Sequence, residues 1–541
     1  MISCRWQNFF FAVLAPILLA GFLACGRNGN VKNNPRIQYV FVLMMENRSY
    51  DHILGLSKLT GEDSFTRRTT TANELNGTEF NEYPPGTKYT VSSTLTKLAI
   101  TPDVPHEFED VLEQLGGAEV KPYDRKSPQY PTINNSGFAS RYGKVPNAKP
   151  GDAMSVFDSS QLPILNKLAK EFAVADNWYS SVPGPTWPNR LFVHAASSAG
   201  LDYSPTTKDI FEKVLIHGYD FENGTLFQRI ESKGLNWRVY YGDFPQVLSI
   251  KGMNSKLILP HFSWCSLLQP QKYFSRFDDF SADMKNPCMP DYVFIEPTYD
   301  IINDYKNSDS MHAPADVTKG EALIKKVYET IRNSSYWEQS LLIIVFDEHG
   351  GFYDHVRPPV GVIPGDFKNP SLNQRGFDFS QLGVRVPAVL ISPFIPKGTI
   401  DHSQYDHASI PAIVEEAFGL APMTQRDKRA NTPDKLLTLD TPRKDTPTEL
   451  IMKPDVNDVP GNSDHLREKG SVGDVGNGDA DPDFAGFLHV AFLAHQAMHP
   501  EEKPAALAQK MKAIKSNNEA KSFMVQVMGE MKDAERKPNS R

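Results

Sequence analysis

The sequence predicts an α/β fold. Short continuous apolar runs suit strands buried on both faces, segments of helical period lie between them, and polar residues with Gly, Pro and Asn close each run. The clearest run is 341–346. It stops at Asp347 and Glu348, and the Gly350-Gly351 pair that follows lets the backbone turn sharply. Carboxyl ends of strands are where ligands bind in open α/β sheets, and this one carries Asp347, Glu348, His349, Asp354 and His355 within nine positions. A strand followed by a solvated loop is the plain alternative, and the density of titratable groups beside glycines argues for a metal site.

At 541 residues the chain can bury a large core and hold more than one domain. Its net charge of −8 carries no general attraction to nucleic acid, and no basic patch interleaved with aromatics is present, so nucleic acid is not expected as a partner. Residues 1–25 read as a secretory leader, with one charge at Arg5 and an apolar core over 9–23. Cys25 ends a stretch similar to a bacterial lipoprotein cleavage box; ordinary cleavage nearby and an uncleaved anchor are the alternatives. The chain is thus expected to be exported, as a periplasmic, secreted or lipid-anchored protein. Of four cysteines, two lie in that leader; Cys265 and Cys288 remain, able to form one disulfide in an oxidising compartment or to stay as thiols.

After a polar linker, 37–45 reads as the first buried strand and ends at Glu46-Asn47-Arg48-Ser49. Loops with isolated strands are expected up to about Pro150. A helix is expected over 162–172, a strand over 173–179, and helical character over 191–199. Strands follow at 237–241 and 292–295. A helix over 319–333 places Ile324, Val327, Tyr328 and Ile331 on one face. A strand over 386–392 and a helix over 408–418, stopped by Gly419, complete the core. Three units follow the leader: a catalytic domain over 37–424, an irregular linker over 425–482 rich in Pro, Asp and Gly, and C-terminal helices over 483–535, at 485–498 and 505–534.

Glu46 and Asn47 leave a buried strand as Asp347 and Glu348 do. If the strands are neighbours, their ends present three carboxylates and an amide oxygen, a ligand set suited to Ca²⁺, Mg²⁺ or Mn²⁺ more than to a closed zinc site. Clustered acids repel, so without a cation some would protonate or spread into water. Thr186 precedes Trp187-Pro188 and is either a helix N-cap or a nucleophile at an anion-binding helix start. Asn189, one turn on, can donate to a phosphoryl oxygen; Arg190 can do the same or pair with a structural carboxylate. His106 and His312 can donate to phosphate or protonate a leaving group, or simply be packed loop residues. His349, Asp354 and His355 read as supporting groups that orient the acids. His407 reads as a helix start. Zincin, Gly-x-Ser-x-Gly, Walker and dinucleotide motifs are all missing.

Three separated motifs, Glu46-Asn47-Arg48-Ser49-Tyr50-Asp51-His52, Pro183-Gly184-Pro185-Thr186-Trp187-Pro188-Asn189-Arg190 and 347–355, closely resemble the phosphoesterase family. That family includes bacterial phosphatidylcholine-type and plant non-specific phospholipases C and a group of acid phosphatases. The likeness runs over about 37–420. It implies an alkaline-phosphatase-like core sheet flanked by helices, here with a helical C-terminal extension. It also implies one divalent metal ion held by Glu46, Asn47, Thr186, Asp347 and Glu348, with zinc not excluded. Thr186 would then attack phosphorus in line, forming a phosphothreonine, while Asn189, His106 and His312 contact the phosphate. The expected activity is phospholipase C, with phospholipid or another phosphate ester as substrate and a membrane surface as a further partner. An acid phosphatase using the same site and an inactive surface-binding protein are the alternatives.

Overall fold

The computed structural model describes residues 34–93, 97–210, 217–258, 260–261, 271–366, 369–452, 482–514 and 516–536. The leader with Cys25, Cys265 of the expected pair and stretch 453–481 of the expected linker lie outside them. Cys288 is disulfide-bonded.

One ten-stranded sheet forms the centre, with helices flanking it. Its strands in chain order are β1 (Tyr39–Met45), β2 (Thr60–Asp63), β3 (Thr69–Thr71), β4 (Ala173–Ala175), β5 (Trp237–Tyr241), β6 (Phe274–Arg276), β7 (Tyr292–Glu296), β8 (Ser340–Phe346), β9 (Ala388–Ile391) and β10 (Thr399–Asp401). From edge to edge the order is β6-β5-β7-β1-β8-β9-β4-β10-β2-β3. Strands β6, β5, β7, β1 and β8 run parallel. β9 is antiparallel to both of its neighbours. β1 and, after Ser340, β8 are apolar because both lie at the middle of the sheet, and all but the edge of Tyr39 is buried. Each such Leu, Ile or Val contributes about 1.5–3 kcal/mol by leaving water.

The register decides where the chemistry sits. Met45 pairs with Phe346 at the last rung of β1 and β8. Glu46-Asn47 and Asp347-Glu348 therefore leave adjacent parallel strands at the same level, which meets the condition the sequence set.

Helices α1 (Tyr50–Leu54), α2 (Phe108–Gly116), α3 (Pro163–Glu171), α4 (Thr186–Ala195), α5 (Val317–Arg332), α6 (Ser409–Phe418), α7 (Phe484–Met498), α8 (Pro504–Ala513) and α9 (Asn517–Arg536) complete the frame. α5 starts where the Asp316 side chain accepts from Thr318 N, and it buries Ile324, Val327, Tyr328 and Ile331 as its period predicts. α2 stands in a region expected to be loop. Phe108, Val111, Leu112 and Leu115 give it a helical stripe, and Glu107 with Asp110 closes a capping box at its start.

Two more expectations are corrected. The single helix over 505–534 is two, because Ser516 and Glu519 cap a fresh start at α9. The first part of the expected linker is packed: Leu436, Leu437 and Leu450 are buried, and Tyr328 Oη donates to Pro447 O.

Candidate active site

Glu46, Asn47, Thr186, Asp347 and Glu348 are all fully buried at the ends of β1, β8 and the start of α4. Asp347 Oδ1 accepts from the Asn47 N–H at 3.0 Å and the Glu348 N–H at 2.7 Å, so it clamps the two strand ends together. Its other oxygen accepts from Arg190 Nε at 2.9 Å, and Arg190 Nη2 stands 3.7 Å from Glu46. Of the two roles the sequence left for Arg190, the structure shows the carboxylate pair.

Asn47 holds φ 57, a left-handed backbone that Asn tolerates better than most residues. Opposite it, Gly350 has φ 62, and a side chain there would strike the Asn47 carbonyl. The Gly-Gly turn is therefore required by contact as well as by conformation. The turn lets Gly350 N donate to Glu348 Oε2 at 2.7 Å.

Burial and charge set unlike protonation in the acids. Burial pushes Glu46 well above the usual carboxylate range, with Arg190 opposing and Asp347 adding to the rise. Burial likewise raises Asp347 to about 6, against the pull of Arg190. Glu348 is also penalised by burial, yet His106 and His349 hold it below its ordinary value. Both Glu46 oxygens and Glu348 Oε1 are buried without a hydrogen bond. Orphaned carboxylate oxygens beside an amide oxygen and a hydroxyl are a donor set that fits a hard divalent cation. The three acids do not close into one tight group, because Arg190 stands between Glu46 and Asp347; the tight group beside them is Asp103, His106 and His312.

Thr186 is the first residue of α4, and Pro185 occupies the cap position. The capping role is thus not the one its hydroxyl plays; Oγ1 lies 3.5 Å from Asn47 Oδ1. The helix start leaves the Thr186 and Trp187 N–H groups without an intrahelical acceptor, and Pro188 has none to offer.

Asn189 is placed differently from expectation. Its Nδ2 donates to the carbonyls of Val182, Gly184 and Pro185, and its Oδ1 accepts from the Val182 N–H. The amide is spent on folding the 182–185 loop beneath Thr186, and it has no donor left for a phosphate.

His106 and His312 meet at the mouth of the site, with ring centroids 5.9 Å apart. His106 Nδ1 faces the Val104 carbonyl at 2.7 Å, and Nε2 lies 3.2 Å from Asn47 Nδ2 and 3.9 Å from Glu348 Oε1. Burial alone would depress its pKa, but Glu348, Asp103 and Asp483 outweigh that and hold it well above the usual imidazole range. His312 is pushed the other way, by burial first and then by His106 and Arg48. It stacks on Tyr305 at 3.9 Å, and neither ring nitrogen makes a hydrogen bond. Asp103, 28% exposed, stands 3.5 Å from His312 and marks the open side of the site.

His349 supports the acids as expected: Nδ1 is 3.2 Å from Glu348 Oε2, and Nε2 faces Gln114 Oε1 at 2.8 Å. Asp354 and His355 do not. Asp354 takes Arg385 Nε at 2.9 Å, and His355 Nδ1 pairs with Asp51 at 2.7 Å. These groups and Arg385 make a separate buried network that anchors α1, because the chain has already turned away after Gly351.

The sequence reading left several supporting residues unassigned. Arg48 Nε donates to Met311 O at 2.7 Å and so fixes the loop that carries His312. His407 Nε2 donates to the Asp347 carbonyl and braces the end of β8. Arg48 was visible inside the first motif, whereas His407 carried no local signal beyond a polar residue before a helix.

With this geometry in hand, similarity to known proteins becomes informative. The sequence profile of the Phosphoesterase family matches residues 37–421, and the chain belongs to that family of phosphoric ester hydrolases. It is 33% identical over 519 residues to non-specific phospholipase C3 of Arabidopsis thaliana, covering 92% of this chain and 90% of that one. Non-specific phospholipase C4 of the same plant is 35% identical over 435 residues, covering 76% and 74%. Phospholipase C B of Mycobacterium tuberculosis is 26% identical over 448 residues, covering 76% and 78%. Among solved structures, a protein in the Alkaline Phosphatase Superfamily from Vibrio parahaemolyticus matches with a TM-score of 0.28 at 11% identity, over 52% of this chain and 63% of that one.

Proposed function

We propose that this protein is a phospholipase C that cleaves phospholipid phosphodiesters to diacylglycerol and a phosphorylated headgroup, with Thr186 as nucleophile. The observation that carries the reading is the placement of the Thr186 hydroxyl at the start of α4, its one long hydrogen bond going to Asn47 Oδ1 at 3.5 Å, beside the buried acids at the ends of β1 and β8. Likeness to plant and bacterial phospholipases C supports the substrate class.

In the proposed sequence Thr186, its hydroxyl proton released to water, attacks as the alkoxide: the Oγ1–P bond forms as the P–O bond to diacylglycerol breaks, and the alkoxide is returned when water displaces it. His106, protonated at neutral pH, gives its proton to the departing alkoxide. The α4 N–H groups meet charge developing on the phosphoryl oxygens. His312, neutral and free of hydrogen bonds, accepts a proton from the water that then releases the phosphorylated headgroup from Thr186. A divalent cation held by Glu46, Asn47, Thr186, Asp347 and Glu348 would supply Lewis-acid stabilisation of an alkoxide and of the phosphoryl oxygens. Asn189 acts in this scheme by shaping the loop.

Export belongs to the same reading: the disulfide at Cys288 suits an oxidising compartment, and a lipid anchor at Cys25 would hold the enzyme near its substrate.

The test compares hydrolysis of phosphatidylcholine with that of a simple phosphomonoester, using Thr186→Ala as the control. The reading expects the diester to be preferred and both activities to fall by at least about 10³-fold in the variant. A diester rate below roughly one-tenth of the monoester rate, a barrier difference of about 1.4 kcal/mol, would instead identify a phosphatase.

A further inference from the structure

The C-terminal helices lie outside the matched family region, and they carry a cluster of metal-ligand side chains that the phosphoesterase chemistry does not use. We propose that His495, His499 and Glu530 form a structural binding site for a zinc-class divalent ion that staples α7 to α9, with Glu502 as an outer carboxylate behind His495.

The local fold brings the two imidazoles together. His495 lies in the last turn of α7, and the His499 N–H closes that turn on the His495 carbonyl at 3.0 Å. A separation of four residues places both rings on one face of the helix, with centroids 4.4 Å apart. α9 then supplies Glu530, whose Oε2 lies 2.8 Å from His495 Nδ1 and 3.4 Å from His499 Nε2. Ligand atoms of these three residues lie within 4.8 Å of one another.

A second observation points to a ligand. His495 is 3% exposed, and its Nε2 is buried without a hydrogen bond. Glu502 Oε2 faces that nitrogen at 3.8 Å and is likewise buried and unbonded. An imidazolium between two carboxylates explains the Glu530 contact but leaves the Glu502 contact too long for a hydrogen bond. An ion on Nδ1, the nitrogen that faces Glu530, leaves the ring proton on Nε2, where Glu502 stands as the outer carboxylate.

The neighbours behave as supporting groups should. Glu530 Oε1 takes Gln526, Glu502 Oε1 takes Lys510, and His499 Nδ1 faces Glu501, so each outer atom is held while its partner points inward. Two imidazoles with one carboxylate and a position for water select a borderline ion such as Zn²⁺ over the hard cations suited to the buried acids at β1 and β8.

The experiment uses the full chain, stripped with a chelator and titrated with Co²⁺ and Zn²⁺. A Glu348→Gln background weakens the catalytic set and isolates the helical site. The proposal expects a visible d–d band of four-coordinate Co²⁺ that survives Glu348→Gln. It also expects a Zn²⁺-dependent rise in melting temperature. His499→Ala, at a half-exposed position where folding is not at stake, should abolish the band and weaken Zn²⁺ binding by at least about 100-fold, while His499→Cys restores binding. Equal Zn²⁺ stoichiometry and affinity in wild type and His499→Ala would overturn the site. So would a melting temperature that ignores Zn²⁺ in the wild-type chain, the behaviour of a simple imidazolium bridge.

Discussion

His106 and His312 lie side by side, yet their surroundings push their proton affinities apart. His106 is pressed toward the neutral form by burial but faces Glu348, Asp103 and Asp483, and the charges win. His312 faces His106 and Arg48, so burial and charge act together to keep it neutral. A raised His106 holds its proton through neutral pH and loses it only as pH climbs beyond the ordinary imidazole value of about 6.5. Histidine-selective NMR titration of the protein without added metal should show one ring titrating well above that value, lost in His106→Gln, and His312 titrating well below it. Two rings titrating together near about 6.5 would contradict the division of labour. His106→Gln should also slow hydrolysis by about 10²-fold or more. Sequence alone named both histidines but could not rank them, because the three carboxylates that separate them come from three distant parts of the chain.

The loop that enters α4 shows how one side chain builds an element. Four hydrogen bonds from the Asn189 amide hold the 182–185 backbone, which otherwise has few partners of its own. Asn189→Leu would leave the Gly184 carbonyl and the Val182 N–H without this partner, so we expect a loss of about 3 kcal/mol in unfolding free energy. Denaturant unfolding checks it, and a loss under about 1 kcal/mol would mean the loop is held by other contacts. The strands were legible in the sequence because burial on both faces removes polar residues from 40–45 and 341–346. The Thr186 motif was legible as a site for the same reason in reverse, since polar groups stand where apolar ones would pack. The role of Asn189 was not legible: an amide near a nucleophile reads equally as a phosphate donor and as a backbone clamp. Asp354 and His355 misled because nearness in sequence to Glu348 does not survive the Gly350-Gly351 turn.

Across the whole molecule, the C-terminal helices are packed against the catalytic end. Phe487 on α7 meets Trp187 at 5.5 Å and Tyr299 at 4.8 Å, and a side chain added at Gly486 would overlap the Trp187 indole. Asp483, at the start of α7, contributes to the potential felt by both Glu46 and His106. The segment read as a separate extension thus touches the residue next to Thr186. Its helices were legible from their apolar period, but their docking partner was not, since nothing in 483–498 names Trp187. The account's central claim remains chemical: Thr186 takes the phosphoryl group before water does. The stereochemistry at phosphorus tests it most directly, using a chiral phosphorothioate analogue of phosphatidylcholine in isotopically labelled water. Two successive in-line displacements predict net retention of configuration in the released headgroup phosphorothioate, and inversion would show that water attacks directly and that Thr186 is not the nucleophile.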